Sequence, residues 1–212
     1  MDRLDRYSLR YGWRVLLLLC LSSGCSSEPK SKQNRLSEKA FTLGPGIRLD
    51  EKDLSVATGI MFIPGDPDGE WVDLIPIDDS DIAQVAKAIE LRNLTVGESN
   101  VTSAGFAALE GLTRLESVHA WDTKIDDAAL KYLADSKELK ELWLRRTRIT
   151  NAGVEYLVEH FPALEDLDLS ETLIDDQAVA SLAKLKQLTR LDLSRTKITD
   201  ASVPALSKMK QL

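Results

Sequence analysis

Cysteine is almost absent from this chain: two occur in 212 residues, Cys20 and Cys25, and none follows. No disulfide framework can brace the body, so packing has to hold it together. Histidine is equally scarce, with only His119 and His160, and no pair of ligand residues stands at metal-binding spacing. A Gly-rich phosphate loop and a nucleophile elbow are both missing. These absences take away the usual sequence grounds for a metal, a cofactor or covalent catalysis, and the expected protein is not an enzyme. Long apolar runs are missing too: Val15–Leu21 is far shorter than the roughly 20 residues that cross a bilayer as a helix. Positive charge is in deficit, with 27 Lys and Arg against 34 Asp and Glu and a net charge of −7. That field sets nucleic acid aside as a partner.

What is present is a repeated phrase. From Leu91 onward the pattern L-x-x-L-x-L-x-x-T-x-I-[TD]-D returns at Leu115, Leu139, Leu164, Leu188 and, as an opening only, Leu212. A fixed period of about 24 residues is the signature of a solenoid. Inside each unit, two apolar residues flank one variable residue, as in Leu142 and Leu144 around Trp143, which describes a short strand with one buried face. Two more apolar columns follow three residues apart, Phe106 and Leu109 in one unit and Val154 and Leu157 in another, the inward stripe of a short helix. Each unit therefore reads as strand, turn and helix.

With every column occupied from Leu91 to Leu212, the chain resembles the leucine-rich repeat family, in the helix-backed form found in bacterial exported repeat proteins and, more distantly, in ribonuclease inhibitor. The resemblance implies an α/β fold: a right-handed leucine-rich repeat solenoid with a parallel concave sheet and helices on the convex side. At the ninth position, where many members place Asn or Cys, stand Ser99, Thr123, Thr147, Thr172 and Thr196. A buried hydroxyl column needs hydrogen-bond partners, expected in the backbone of the neighbouring turn. The acidic pairs Asp126-Asp127 and Asp175-Asp176, and Asp200, invite a calcium reading. Their counterparts Thr102-Ser103 and Thr150-Asn151 are helix-capping residues, so the expectation is N-caps.

The first 24 residues read as an export signal. Arg3, Arg6, Arg10 and Arg14 make a positive head before the apolar run. Leu21-Ser22-Ser23-Gly24-Cys25 resembles the lipobox of bacterial lipoproteins, with Ser22 where leucine is commonest, and the resemblance implies lipidation of Cys25. An ordinary cleaved signal beside an incidental cysteine is the alternative. Removing residues 1–24 takes away four basic and two acidic residues, leaving 23 against 32, or −9. Residues 25–46 read as a polar tether, and Ser26 after the cysteine resembles the sorting pattern for the outer membrane. The expected location is exported and membrane-anchored, periplasmic or at the cell surface.

Residues 47–90 read as a cap on the N-terminal end of the solenoid: strand-like Ile60–Ile63, a Pro- and Gly-rich turn at 64–69, a second run at 71–75, then a helix started by Asp78-Asp79-Ser80-Asp81 with Ile82, Val85 and Ile89 on one face. The two runs imply a hairpin followed by a shortened first unit, which together would shield the apolar end of the solenoid. At the other end no cap is visible near Leu191–Leu193, which leaves self-association through that end, or a truncated frame, as expectations.

Function is sought in the variable strand positions, because the leucines face inward. They place His119, Trp121, Trp143, Arg145 and Arg146 on adjacent strands, beside an acidic stretch of Asp166, Asp168 and Asp192. Tryptophan and arginine dominate binding energy at interfaces, so this patch is the candidate site for a protein or glycan partner. A cross-strand cluster that merely stabilises the sheet is the competing reading. Ser117, His119 and Asp122 lie close in sequence, but side chains two apart on an open strand make no ready triad.

Overall fold

A computed structural model of the chain describes residues 40–43, 57, 59–62 and 77–212. The export signal, Cys25, most of the tether, the turn at 64–69 and the run at 71–75 lie outside the described residues. Seven short strands, β1 (Ala40–Leu43), β2 (Gly59–Phe62), β3 (Asn93–Thr95), β4 (Ser117–His119), β5 (Glu141–Trp143), β6 (Asp166–Asp168) and β7 (Arg190–Asp192), form one parallel sheet in chain order. Each strand pairs with the next in strict register, Leu94 with Val118, Leu142, Leu167 and Leu191 in turn. Parallel neighbours need a crossover between them, and here the rest of each repeat supplies it. The result is the expected solenoid.

The repeat columns form its interior. Leu94, Val118, Leu142 and Leu167, with Val96, Ala120, Leu144 and Leu169 two residues on, have no exposed surface, and the same holds for Val101, Ile125, Ile149 and Ile174. Burial of this row after row is the main stabilising term, at about 25 cal/mol per Å² of apolar surface. The crossover elements differ from one helix per unit. Regular α-helix appears at α1 (Asp79–Ile82), α2 (Asn151–His160), α3 (Asp176–Leu182) and α4 (Val203–Leu206), whereas 83–87, 105–109, 127–133 and 200–202 are 3₁₀ turns. Apolar columns three apart explain this, since a 3₁₀ turn repeats every three residues. The longest helix, α2, occupies the one unit that is a residue longer, from Leu139 to Leu164.

Three expectations about the cap and tether need correction. Ala40–Leu43, placed in the tether, is a strand of the sheet. β2 has parallel partners on both edges, β1 and β3, so it is a rung of the solenoid and not one arm of a hairpin. Ile89 is 62% exposed while Ala88 is buried, because the helix tightens to 3₁₀ after Ile82 and the inward stripe becomes Ile82, Val85 and Ala88. In the last rung Val203 is 56% exposed although its column is buried elsewhere, because no further rung covers it among the described residues.

The hydroxyl column is satisfied nearer home than expected. Ser99, Thr123, Thr147, Thr172 and Thr196 each donate to the carbonyl three residues earlier in their own unit, at 2.5–2.8 Å. That bond closes a tight turn after the strand. The residue just before each hydroxyl lies in the left-handed region: Glu98, Asp122, Arg146, Glu171 and Arg195 have φ of 51–56°. A non-glycine residue there costs about 1 kcal/mol, and a β-branched one more. Arg195→Val is therefore expected to lower stability by about 1–2 kcal/mol while Arg195→Asn stays within about 0.5 kcal/mol. Both variants lose the same exposed ion pair, so equal urea midpoints would show that the turn carries no strain.

The acidic pairs do two jobs. The first residue of each pair caps its own helix or 3₁₀ turn: Asp78 accepts from Ser80 N at 2.8 Å, Asp126 from Ala128 N at 3.0 Å, and Asp175 from Gln177 N at 2.9 Å. The second residue clasps the next rung. Asp79, Asp127 and Asp176 each accept from both the backbone N–H and the hydroxyl of Thr102, Thr150 and Thr199, at 2.6–2.9 Å. Between these clasps, Ser103 and Asn151 donate to Asp126 and Asp175.

Candidate functional site

The sheet face away from the core is built by the outward strand residues and those just after each strand. Register sets His119 of β4 beside Trp143 of β5, and their rings stack with centroids 3.9 Å apart and planes at 10°. Trp121 leans on both, 6.1 Å from His119 and 6.2 Å from Trp143, tilted by 48° and 52°. Such offset and tilted pairs are favoured by the ring quadrupoles and contribute about 0.5–1.5 kcal/mol each. Trp143 is half-buried on the sheet and not part of the core.

Trp121 reaches this position because the preceding rung has a glycine at the same place. A Cβ on Gly97 would stand 2.7 Å from Trp121 Cζ2 and 2.5 Å from its Cδ2, so the indole lies flat on the Gly97 backbone. Gly97 belongs to the site although it offers no side chain. The signal in the sequence is its column, where glycine in one repeat stands next to tryptophan in the next.

The two arginines share the neighbourhood and are engaged within the protein. Arg145 Nε and Nη2 both donate to Glu171 Oε1, at 2.9 and 2.6 Å, with its side chain only 14% exposed. Arg146 joins Glu171 Oε2 at 3.2 Å to Asp122 Oδ2 at 3.0 Å, and Arg195 reaches Glu171 at 3.5 Å. The left-handed residues Asp122, Arg146, Glu171 and Arg195 thus form a ladder of alternating charge along one margin of the site. Of the five residues singled out from the sequence, His119, Trp121 and Trp143 make one cluster, and Arg145 and Arg146 belong to this ladder beside it.

His119 also meets polar partners. Its Nε2 is 3.0 Å from Ser117 Oγ and 3.5 Å from Glu141 Oε2. A serine relay needs the carboxylate on Nδ1, opposite the serine. Here serine and carboxylate share one ring nitrogen, and the nearby acid is Glu141 from the next strand and not Asp122. As placed, the trio cannot pass a proton from serine through the ring to the acid.

The carboxylates around the cluster differ in character. The hydrogen bond from His119, opposed by burial and aided by the charges of His119 and Arg190, holds the Glu141 carboxyl below its ordinary value. Glu171 is held low by hydrogen bonding to Arg145, against burial, with the charges of Arg145 and Arg146 adding to the effect. Asp168 goes the other way: burial pushes its carboxyl up, partly offset by Ser170, and Asp192 on the next strand adds repulsion. A depressed carboxyl contributes stability above its unfolded value and loses it as pH falls through the folded value, while a raised one is relieved by protonation. The melting temperature should therefore fall between about pH 5 and pH 2. Glu171→Gln should flatten that fall and Asp168→Asn steepen it. A melting series over that range checks this, and an unchanged slope in Glu171→Gln would remove the ladder from the acid response.

No family model matches the chain, and no curated protein matches it in sequence. Among solved structures the fold is similar to an internalin (inlF) from Listeria monocytogenes, with a TM-score of 0.60 and 21% identity, covering 82% of this chain and 46% of that one. It is also similar to an internalin C2 (inlC2) from the same organism, with a TM-score of 0.56 and 19% identity over 77% of this chain and 63% of the other. The chain spans less than two thirds of the length of either. At such identity the likeness is one of fold. Together with the stacked columns and the parallel sheet, it establishes an α/β leucine-rich repeat solenoid.

Proposed function

We propose that the protein is a non-enzymatic binding scaffold, anchored through a lipid on Cys25 in a bacterial cell envelope, with the outer membrane favoured. It presents its concave repeat face to a protein partner, with His119, Trp121 and Trp143 at the centre and Arg145 and Arg146 at the margin. Solenoids of this fold commonly bind proteins, which supports a protein partner ahead of a glycan. The observation that carries the reading is the aromatic cluster itself: three rings from adjacent strands gathered on the sheet face away from the buried columns, where large rings are the residues that anchor interfaces. The packed rings are rigid before a partner arrives, and preorganisation lowers the entropic cost of binding.

The test is capture of partners from envelope extract by the full chain, by Trp121→Ala/Trp143→Ala, and by Cys25→Ser. The double tryptophan variant should lose the partner by about tenfold or more, with its melting curve still cooperative. Cys25→Ser should move the protein from the membrane fraction to the soluble one and leave partner capture intact. Undiminished capture with a lowered melting temperature would reduce the rings to a stabilising cluster.

A further inference from the structure

We infer that one lateral edge of the solenoid is a second docking surface, for an extended acidic peptide segment that carries a bulky aliphatic side chain. The edge is the column just after the buried hydroxyls, where Lys124, Arg148, Leu173 and Lys197 stand in successive repeats, all exposed. Backbone bonds of 2.9–3.0 Å fix each to the rung before it: Lys124 N to Val101 O, Arg148 N to Ile125 O, Leu173 N to Ile149 O and Lys197 N to Ile174 O. Parallel bridges at Lys124, Arg148 and Lys197 add to that order. At strand spacing of about 4.8 Å the row is about 15 Å long, the reach of four or five extended residues.

Two features of the row ask for a partner. First, Lys124, Arg148 and Lys197 form no ion pair among the described residues, although two positions earlier Asp122, Arg146, Glu171 and Arg195 answer one another completely. In a chain with net charge −7, three cations without an ion pair among the described residues stand in one line. Second, Leu173 sits 50% exposed between two of them, where the flanking repeats have Arg and Lys. Solubility favours a third charge there, and an exposed aliphatic residue framed by cations suits a ligand that is both acidic and apolar.

The shape of the row selects a single chain over a membrane. It is one residue wide, with the alternating Asp122, Arg146, Glu171 and Arg195 along one side and Asp126 and Asp175 along the other. A planar anionic surface would press against those four carboxylates as well. An extended acidic strand lies between them on the row's cations, with Arg146 and Arg195 of the ladder beside it. The aromatic cluster plays no part, so the two surfaces can be tested separately.

The probe is a fluorescein-labelled octapeptide of alternating Glu and Thr with one central Leu, titrated by the full chain at low ionic strength and followed by anisotropy. Binding should weaken about tenfold or more in Arg148→Glu/Lys197→Glu and with rising salt. Leu173→Ser should weaken it by about threefold to tenfold, and replacing the peptide leucine by serine should cause no further loss in that variant. Trp143→Ala should bind the probe normally. All the substituted row residues are exposed, and a thermal melt verifies that the variants are folded. The inference is overturned by no binding of the probe, by binding indifferent to Arg148→Glu/Lys197→Glu, or by equal loss in Trp143→Ala. It is equally overturned if those row variants weaken binding to anionic phospholipid vesicles and leave the peptide unaffected.

Discussion

Gly153→Ala is expected to destabilise the protein by about 2–3 kcal/mol, which for a domain of this size is roughly 4–12 °C in Tm. Helix propensity alone argues the reverse. Gly153 lies in the first turn of α2, where alanine would ordinarily add about 0.5–1 kcal/mol. The opposing effect is steric and belongs to the neighbouring rung. A Cβ at Gly153 would stand 2.9 Å from Asp127 Cγ and closer still to Oδ1, the oxygen that accepts the Thr150 N–H at 2.9 Å. To make room the carboxylate must shift and strain its bonds to Thr150, and each hydrogen bond to a charged acceptor contributes about 1.5–3 kcal/mol.

The alternation along the solenoid supports this reading. Where the preceding rung offers Asp79 or Asp127, the third residue of the turn is Gly105 or Gly153, and a Cβ on Gly105 would meet Asp79 in the same way. Where it offers the donors Ser103 or Asn151, that third residue is Ala129 or Ala178, both buried. Ser202 follows Asp176 and turns its hydroxyl to the carboxylate. Glycine thus follows the aspartate in two of the three clasps, and in the third the serine hydroxyl offsets its Cβ by donating to the carboxylate, which an alanine cannot do. In an Asp127→Ser background Gly153→Ala should lose much of its cost, giving a coupling of about 1 kcal/mol or more in a double-mutant cycle. Urea unfolding of the four proteins decides it, and a stabilised Gly153→Ala would remove the clasp from the account.

This alternation also marks the boundary of what the sequence discloses. The buried columns were legible because burial repeats at a fixed interval, and a period survives in a single chain without any coordinates. Leu94, Ile149 and Leu182 could be assigned inward on that ground alone. What stayed hidden is pairwise between rungs. Asp127 looks like a cap to anyone reading α2 or the turn at 127–133 in isolation, and its attachment to Thr150 exists only once repeats are stacked in register. The left-handed turn was hidden for a different reason. Glycine advertises positive φ, whereas here five charged residues occupy it, held by the hydroxyl bond beside them. The cap failed as a hairpin because strand-like composition does not state direction, and direction is set by which edges of the sheet remain open.

The candidate site divides along the same line. Facing positions follow from the period of two in a strand, so His119 and Trp143 could be set side by side from their spacing. That Arg145 and Arg146 converge on Glu171 could not be, since long side chains choose among several partners within reach. Gly97 was the least visible of all. It has no side chain to nominate, yet it decides where Trp121 lies.

Gly97→Ala is for that reason expected to reshape the aromatic cluster, at a cost of about 2 kcal/mol. In an ordinary strand position alanine would be better than glycine by roughly 0.5–1 kcal/mol. The added methyl would sit under the body of the indole and not against the end of a flexible chain, so the ring has to tilt away as a unit. Tilting exposes part of a surface that amounts to about 150–250 Å² in a buried aromatic ring and opens both tilted contacts with His119 and Trp143. Three measurements should move together: a lower melting temperature, a red-shifted tryptophan emission, and weaker capture of the proposed partner, to the degree expected for Trp121→Ala. The decisive comparison is the same substitution made in a Trp121→Ala background. With the ring that makes its three nearest contacts removed, the methyl loses that clash and the sign should reverse, so that Gly97→Ala becomes neutral or stabilising there. A glycine that mattered only for backbone freedom would give the same sign in both backgrounds, and Trp121 would then owe its place to some other contact.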